Sequence, residues 1–234
     1  MSAKRTSAGS DAFKREAEEG TLREAAGTGT QKWRQVGRLF TDWHFASRVI
    51  RKRFGLPVPM DTEDRRVLEQ VIFPFYRSDA SIKTVLFVGC DWYTRHYGKY
   101  FFADVDYWTI EYAPEKRKFG APQHVVGPLE SLATHFPAGK FDLILCNGVY
   151  GWGLDGREQI DSAFEQCRSR LRPGGHLLVG WDDIPERAPV PLSEIPSLQQ
   201  FEKFIFPPLG TWRFVTDTPY RHTYDFYRTG GGTV

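Results

Sequence analysis

Between residues 84 and 181 the chain repeats one pattern: a short apolar run, a turn, then helix-compatible sequence. The runs fall at 84–88 (Thr-Val-Leu-Phe-Val), 107–111 (Tyr-Trp-Thr-Ile-Glu), 141–146 (Phe-Asp-Leu-Ile-Leu-Cys) and 176–181 (His-Leu-Leu-Val-Gly-Trp), with a shorter one at 123–126. A strand that is apolar along its length, rather than at every second residue, is covered on both faces. Such strands alternating with helices build a mostly parallel sheet sandwiched between helices. The pattern therefore predicts an α/β fold, with 157–170 the clearest of the intervening helices.

The flanks extend this plan. Residues 192–206 predict a helix interrupted at Pro196. Residues 212–217 and 222–227 predict two strands joined across Thr218-Pro219-Tyr220. Upstream, 61–76 predicts a helix distorted near Pro74. Asp61-Thr-Glu-Asp64 supplies its cap and first-turn acid, and Val67, Leu68, Val71, Ile72 and Phe75 its buried stripe. Residues 31–53 predict another helix, bent near Gly37, with Trp33, Val36, Phe40, Trp43 and Val49 sharing a face; Pro57 and Pro59 end it. Residues 1–30 are rich in Ala, Gly, Ser, Thr and charge and bury too little to offset ordering entropy. The expected division is a flexible tail over 1–30, a helical cap over 31–78 and an α/β domain over 79–230.

Bulk properties narrow the function. The 234 residues suit one α/β domain with an extension. A formal net charge of +2 creates no strong field for nucleic acid or a membrane surface. No apolar run approaches the ~20 residues needed to span a bilayer, and the basic N-terminus lacks the apolar core of a signal peptide. Cys90, Cys146 and Cys167 have neither metal-ligand spacing nor the even count of a disulfide set, so no metal is expected and the thiols are expected reduced in the cytoplasm. The expected partner is a small molecule, with no nucleic acid, no membrane, and a monomeric or homodimeric chain.

Open parallel sheets bind ligands beyond the carboxyl ends of their strands, and the informative residues cluster there. Gly89 follows the first strand, in Lys83-Thr-Val-Leu-Phe-Val-Gly-Cys-Asp91. Glu111 ends the second. Gly127-Pro-Leu-Glu130 follows the third, Asn147-Gly-Val-Tyr-Gly-Trp-Gly-Leu-Asp155 the fourth, and Trp181-Asp-Asp183 ends the fifth. A G-x-G-x-x-G fingerprint is absent, which argues against a dinucleotide.

This order of motifs resembles the class I S-adenosylmethionine-dependent methyltransferases over roughly residues 80–230. The resemblance implies a Rossmann-like, mostly parallel seven-stranded sheet with a terminal antiparallel hairpin and an N-terminal helical lid, and S-adenosyl-L-methionine as cofactor. It implies that Glu111 accepts both ribose hydroxyls, a pairing suited to a carboxylate, with Tyr112 against the adenine and Leu129 or Glu130 at its amine. Gly89 lets backbone approach the ligand. The chain departs from the family at the first loop. Phe87 stands at the usual acidic position, and Asp91-Trp92-Tyr93 replaces small residues. Either Asp91 takes the ammonium of the methionine arm, or Trp92 or Tyr93 flanks the sulfonium, or the loop no longer binds.

Asn147, Gly148 and the loop after them are expected to line the pocket. Asn147 and Tyr150 share the spacing of the Asn-Pro-Pro-Tyr motif of amino-methylating members, although both prolines are missing here. The amide carbonyl of Asn147 suits an amine proton, while Tyr150 and Trp152 suit stacking on a substrate. Asp182 is placed to orient or deprotonate a nucleophile, with capping of the next segment as the alternative. Trp43 and His44, on the helix that the resemblance makes a lid, complete the substrate-contacting set.

Three functions follow. The first is a methyltransferase acting on an amine, hydroxyl or thiol of a small polar molecule, in small-molecule biosynthesis. The second resembles azetidine-forming relatives: Asp91-Trp92-Tyr93 and Tyr150 fold the aminobutyrate arm back, giving azetidine-2-carboxylate and methylthioadenosine. The third is a non-catalytic binding domain that retains the fold.

Overall fold

A computed structural model describes residues 61–231 of the chain. The tail expected over 1–30 and the helix over 31–53, with Trp43 and His44, lie outside the described residues.

The strands are β1 (Thr84–Val88), β2 (Asp106–Glu111), β3 (Gln123–Val126), β4 (Phe141–Asn147), β5 (Leu171–Asp182), β6 (Glu202–Lys203), β7 (Arg213–Val215) and β8 (His222–Arg228). They form one sheet in the order β3-β2-β1-β4-β5-β8-β6, with β7 also on β8. The first five are parallel, and β8 runs antiparallel to β5. Successive residues of a strand face opposite sides, which sorts each apolar run onto two cores. Leu86, Val88, Ile144, Cys146, Leu177 and Val179 face Ile160, Phe164 and Cys167 of the helix Arg157–Arg170. Val85, Phe87, Leu143, Leu145 and Leu178 face Leu68, Ile72, Phe73 and Tyr76.

Those last residues belong to a helical segment in three parts. Helix α1 (Glu63–Val67) passes through a π-helical stretch, Leu68–Ile72, into α2 (Phe73–Ser78). The distortion expected near Pro74 takes this form. Proline has no N–H for the carbonyl one turn back and its ring crowds that carbonyl, so the preceding turn widens. The widening rotates the buried face toward Phe73 and Tyr76, leaving Phe75 half-buried. The segment covers the sheet as part of its core.

Two sequence expectations change. The helix expected over 192–206 is reduced to a 3-10 turn, Leu192–Glu194, and a four-residue helix, Pro196–Gln199; Glu202–Lys203 then pairs with β8. The open edge of β8 offers backbone partners that outweigh helix propensity. Consequently the outer position holds two short strands, β6 and β7, rather than one, and among the described residues the sheet has eight strands, not seven. The chain leaves the edge between them through Pro207-Pro208, and a bridge between Phe206 and Thr211 closes the excursion. Phe206 stacks on Phe226 at 4.3 Å beneath it.

Candidate functional site

A cavity of about 520 Å³ opens beyond the carboxyl ends of β1, β2 and β4. The chain winds outward in opposite directions from β1 and β4, so this is the point where strand order reverses. The volume lies within the ~300–1,000 Å³ of small-molecule sites.

The turn after β1 forms one wall. Gly89 has φ +82°, and a Cβ there would lie 2.9 Å from Val149 Cγ2. Both the backbone angle and the packing call for glycine. Glu111, only 5% exposed, stands beside this turn. Its Oε2 accepts the Cys90 N–H at 2.8 Å and its Oε1 the Ala113 N–H at 3.0 Å. Burial, then the neighbouring carboxylate of Glu111, pushes the Cys90 thiol up to about 12, so it is not a nucleophile.

The loop that departs from the family is tightly tied. Asp91 Oδ1 accepts the Trp92 N–H at 2.7 Å, and Lys116 Nζ lies 3.2 Å from Oδ2. The Asp91 N–H donates to Thr94 Oγ1 at 3.0 Å. Tyr93 lines the cavity with the guanidinium of Arg65 4.4 Å above its ring. Arg65 is itself held by the Tyr97 hydroxyl at 3.0 Å, which donates to Glu69 Oε1 at 2.7 Å. Trp92 stands edge-on to Tyr93 at 5.4 Å and does not line the cavity.

The opposite wall comes from the ends of β2, β3 and β4. Tyr112, Leu129, Glu130, Asn147, Gly148 and Trp152 line it. Gly148 has φ +70°, and a Cβ there would meet nothing within 4 Å, so the backbone itself faces open space. Tyr150, expected to grip the substrate, lies elsewhere. It is fully buried, its hydroxyl donates to the Val190 carbonyl and accepts the Val190 N–H at 3.3 Å, and its ring meets Trp181 edge-on at 5.7 Å. Left-handed glycines at 148, 151 and 153 fold the loop back, so that this ring becomes the loop's own core. Trp152 instead points to the cavity, with its Nε1–H on Asp182 Oδ2 at 3.2 Å and Arg187 Cζ 3.4 Å above its ring.

The third wall joins three strands. Asp182 ends β5 and is the register partner of His222, the first residue of β8. Asp182 Oδ1 lies 2.6 Å from His222 Nδ1, and His222 Nε2 lies 3.2 Å from Asn147 Oδ1. All three line the cavity. Burial works against the Asp182 charge, but the hydrogen bond and charge of His222 outweigh it and hold the carboxyl below its usual range. Asp182 thus meets His222 through one oxygen and Trp152 through the other. The sequence reading missed His222. Only the antiparallel register of the terminal strand against β5 brings it beside Asp182, and that register is not written in the local sequence.

Among the described residues, no cluster of His, Cys, Asp or Glu could hold a metal ion. No helix among them is long and apolar enough to cross a membrane.

Residues 88–179 match a family model described as a methyltransferase domain. Among solved structures, the N-methyltransferase NodS from Bradyrhizobium japonicum WM9 is similar, with a TM-score of 0.52 and 16% identity, covering 73% of this chain and 99% of that one. The same protein in complex with S-adenosyl-L-homocysteine gives a TM-score of 0.53 and 15% identity, over 72% and 89%. At these identities the likeness is one of fold. No curated protein matches the chain.

Proposed function

We propose that the chain is a class I S-adenosylmethionine-dependent methyltransferase, a reading supported by the methyltransferase-domain match over residues 88–179, and that this cavity holds its cofactor beside a small polar methyl acceptor. The position of Glu111 carries the reading: a buried carboxylate at the tip of β2, beside a left-handed glycine turn, on the wall of an open cavity.

The residues present fit the group. Each Glu111 oxygen takes one backbone N–H, and a carboxylate oxygen has a second lone pair for a ribose hydroxyl. The bare backbone at Gly89 and Gly148 permits close approach. Tyr112 and Leu129 would flank the base, with Glu130 near its amine. Asp91 would meet the ammonium with a charge already shared with Lys116. When bound, S-adenosylmethionine supplies a methyl group activated by its sulfonium, so positioning of a neutral acceptor matters more than a strong base.

Beyond the nucleoside end the cavity is walled by Arg65, Trp152, Asp182, Thr218, Tyr220 and His222. This mixture of hydrogen-bonding groups and exposed aromatic faces suits a compact polar acceptor. Asn147 offers one end of its amide to the acceptor's reacting group. The cyclisation alternative drew on Asp91, Trp92, Tyr93 and Tyr150; Asp91 and Tyr93 line the cavity, while Trp92 and Tyr150 do not. A cytoplasmic location and a small-molecule role, without nucleic acid, accord with the near-neutral charge balance.

Isothermal calorimetry with S-adenosylhomocysteine tests this. Binding that is lost in Glu111→Ala is the expected result; no heat at millimolar ligand with the unaltered chain would refute it.

A further inference from the structure

Asn147, Gly180 and His222 form a bridge across three strands. Asn147 of β4 is paired with Gly180 of β5. His222 of β8 lies opposite Asp182, two residues further along β5. Side chains two apart on a strand share a face, so Asp182 and the missing side chain of Gly180 look the same way. A Cβ at Gly180 would fall 1.9 Å from Asn147 Oδ1 and 3.2 Å from His222 Nε2. The glycine is the gap through which the imidazole of His222 reaches the amide of Asn147.

The chemistry of the three groups then couples. The carboxylate of Asp182 only accepts, so His222 Nδ1, 2.6 Å away, carries a proton. That assigns the other ring nitrogen two states. If Nε2 is also protonated, it donates to Asn147 Oδ1, the orientation of the amide in this structure, and the NH₂ is turned away from the ring. If Nε2 is a bare lone pair, the amide must present NH₂ to it, and the carbonyl turns away. Asn147 lines the cavity, so the end turned away from His222 is the end offered to a ligand.

Resting on the methyltransferase reading above, we propose that His222 is a positioning residue: held by Asp182, its neutral ring turns the Asn147 carbonyl toward the acceptor. The carbonyl then receives the N–H of a neutral amine and leaves the nitrogen lone pair free. The charged ring turns the amide round, and the NH₂ it presents repels that hydrogen. The charged groups around the ring are Asp182 and Asp183 at the end of β5, Arg187 over Trp152, Arg221 on the ring's own strand, and Asp64 and Arg65 from α1 across the cavity. Asp183 pairs with Arg221 at 3.3 Å and Asp64 with Arg65 at 3.6 Å. The Tyr224 ring packs on the imidazole at 4.9 Å.

The test is nitrogen-15 NMR of the full chain at about pH 8, with His222→Gln and Asn147→Ala used to assign the signals. The expected result is a ring protonated at Nδ1 and bare at Nε2, with a hydrogen-bond coupling from the Asn147 side-chain NH₂ to Nε2. In Asp182→Asn that coupling is lost. A ring protonated at Nε2 overturns the proposal, and so does a bare Nε2 without coupling to Asn147. Calorimetry with S-adenosylhomocysteine on the same sample reports separately on the cofactor reading: retained binding without the coupling removes the positioning role alone.

Discussion

The Cys90 N–H reaches Glu111 Oε2 at 2.8 Å, tying the turn after β1 to the tip of β2. One carboxylate thus holds the floor of the cavity together and faces into it. Glu111→Gln keeps the size but has a single acceptor oxygen, which cannot serve Cys90, Ala113 and a ligand diol together. Affinity for S-adenosylhomocysteine is expected to fall ~10-fold in Glu111→Gln and ~100-fold or more in Glu111→Ala, from the ~1.5–3 kcal/mol of each lost charged hydrogen bond. Calorimetry measures both; unchanged affinity in the alanine variant would show that the carboxylate serves the fold alone.

Much of this arrangement is legible in the sequence because it depends on local rules. Continuous apolar runs demand cover on both faces, and Gly89 and Glu111 fall at strand ends whichever way the sheet is assembled. What was not legible depends on distant partners. Tyr150 reads as a pocket aromatic until the folded loop shows its hydroxyl on Val190, forty residues away. His222 reads as an ordinary strand residue until β8 is laid antiparallel on β5. Residues 202–203 carry helix-compatible sequence and become strand because β8 has an open edge.

Tyr150 and Trp152 should separate cleanly on mutation. Tyr150→Phe removes a buried hydroxyl that both donates to and accepts from the Val190 backbone, leaving those groups unpartnered. A loss of about 1–3 kcal/mol in urea unfolding is expected, with ligand affinity little changed. Trp152→Ala removes an exposed face of the cavity and a donor to Asp182. Stability should change little there, while acceptor binding weakens. A Tyr150→Phe protein of full stability but impaired binding would return that ring to the site.

Two glycines carry opposite predictions. At Gly151, φ is +76° and a Cβ would lie 1.9 Å from the Arg187 carbonyl oxygen, a backbone atom that cannot step aside alone. Gly151→Ala should therefore destabilise the chain by more than the ~1 kcal/mol typical of a left-handed site, visible as a lower melting temperature. At Gly180 the obstruction is a side-chain atom, Asn147 Oδ1, which can rotate. Gly180→Ala should leave the melting temperature closer to that of the unaltered chain while displacing Asn147 from His222. The hydrogen-bond coupling between the Asn147 side-chain NH₂ and His222 Nε2 should then be lost. The reverse ranking of the two melting temperatures would contradict the packing described.

Acid should weaken the fold in two stages. His176 is packed between the rings of Tyr76, at 5.5 Å, and Phe204, at 4.6 Å. Burial, reinforced by the nearby Arg228 charge, lowers its pKa from 6.5 to about 4. The unfolded chain therefore binds more protons than the folded one between these values, so stability is complete above about 6.5 and declines as pH falls toward about 4. Asp142 acts lower on the scale. Burial opposes its charge, but the Arg172 guanidinium and the backbone amides of Lys83 and Thr84, at 2.7 and 2.8 Å, prevail and hold it below its ordinary 3.8. A carboxyl lowered on folding stabilises above its unfolded value and loses that contribution as pH drops through the folded one. Urea midpoints at about pH 7 and 4.5 should differ by a stability on the order of 2 kcal/mol, about 1.4 kcal/mol for each unit crossed. His176→Phe, which keeps the ring packing and removes the proton, should abolish most of that difference while leaving the further loss below Asp142's ordinary range intact. An unchanged difference in the phenylalanine variant would move the first stage to another group.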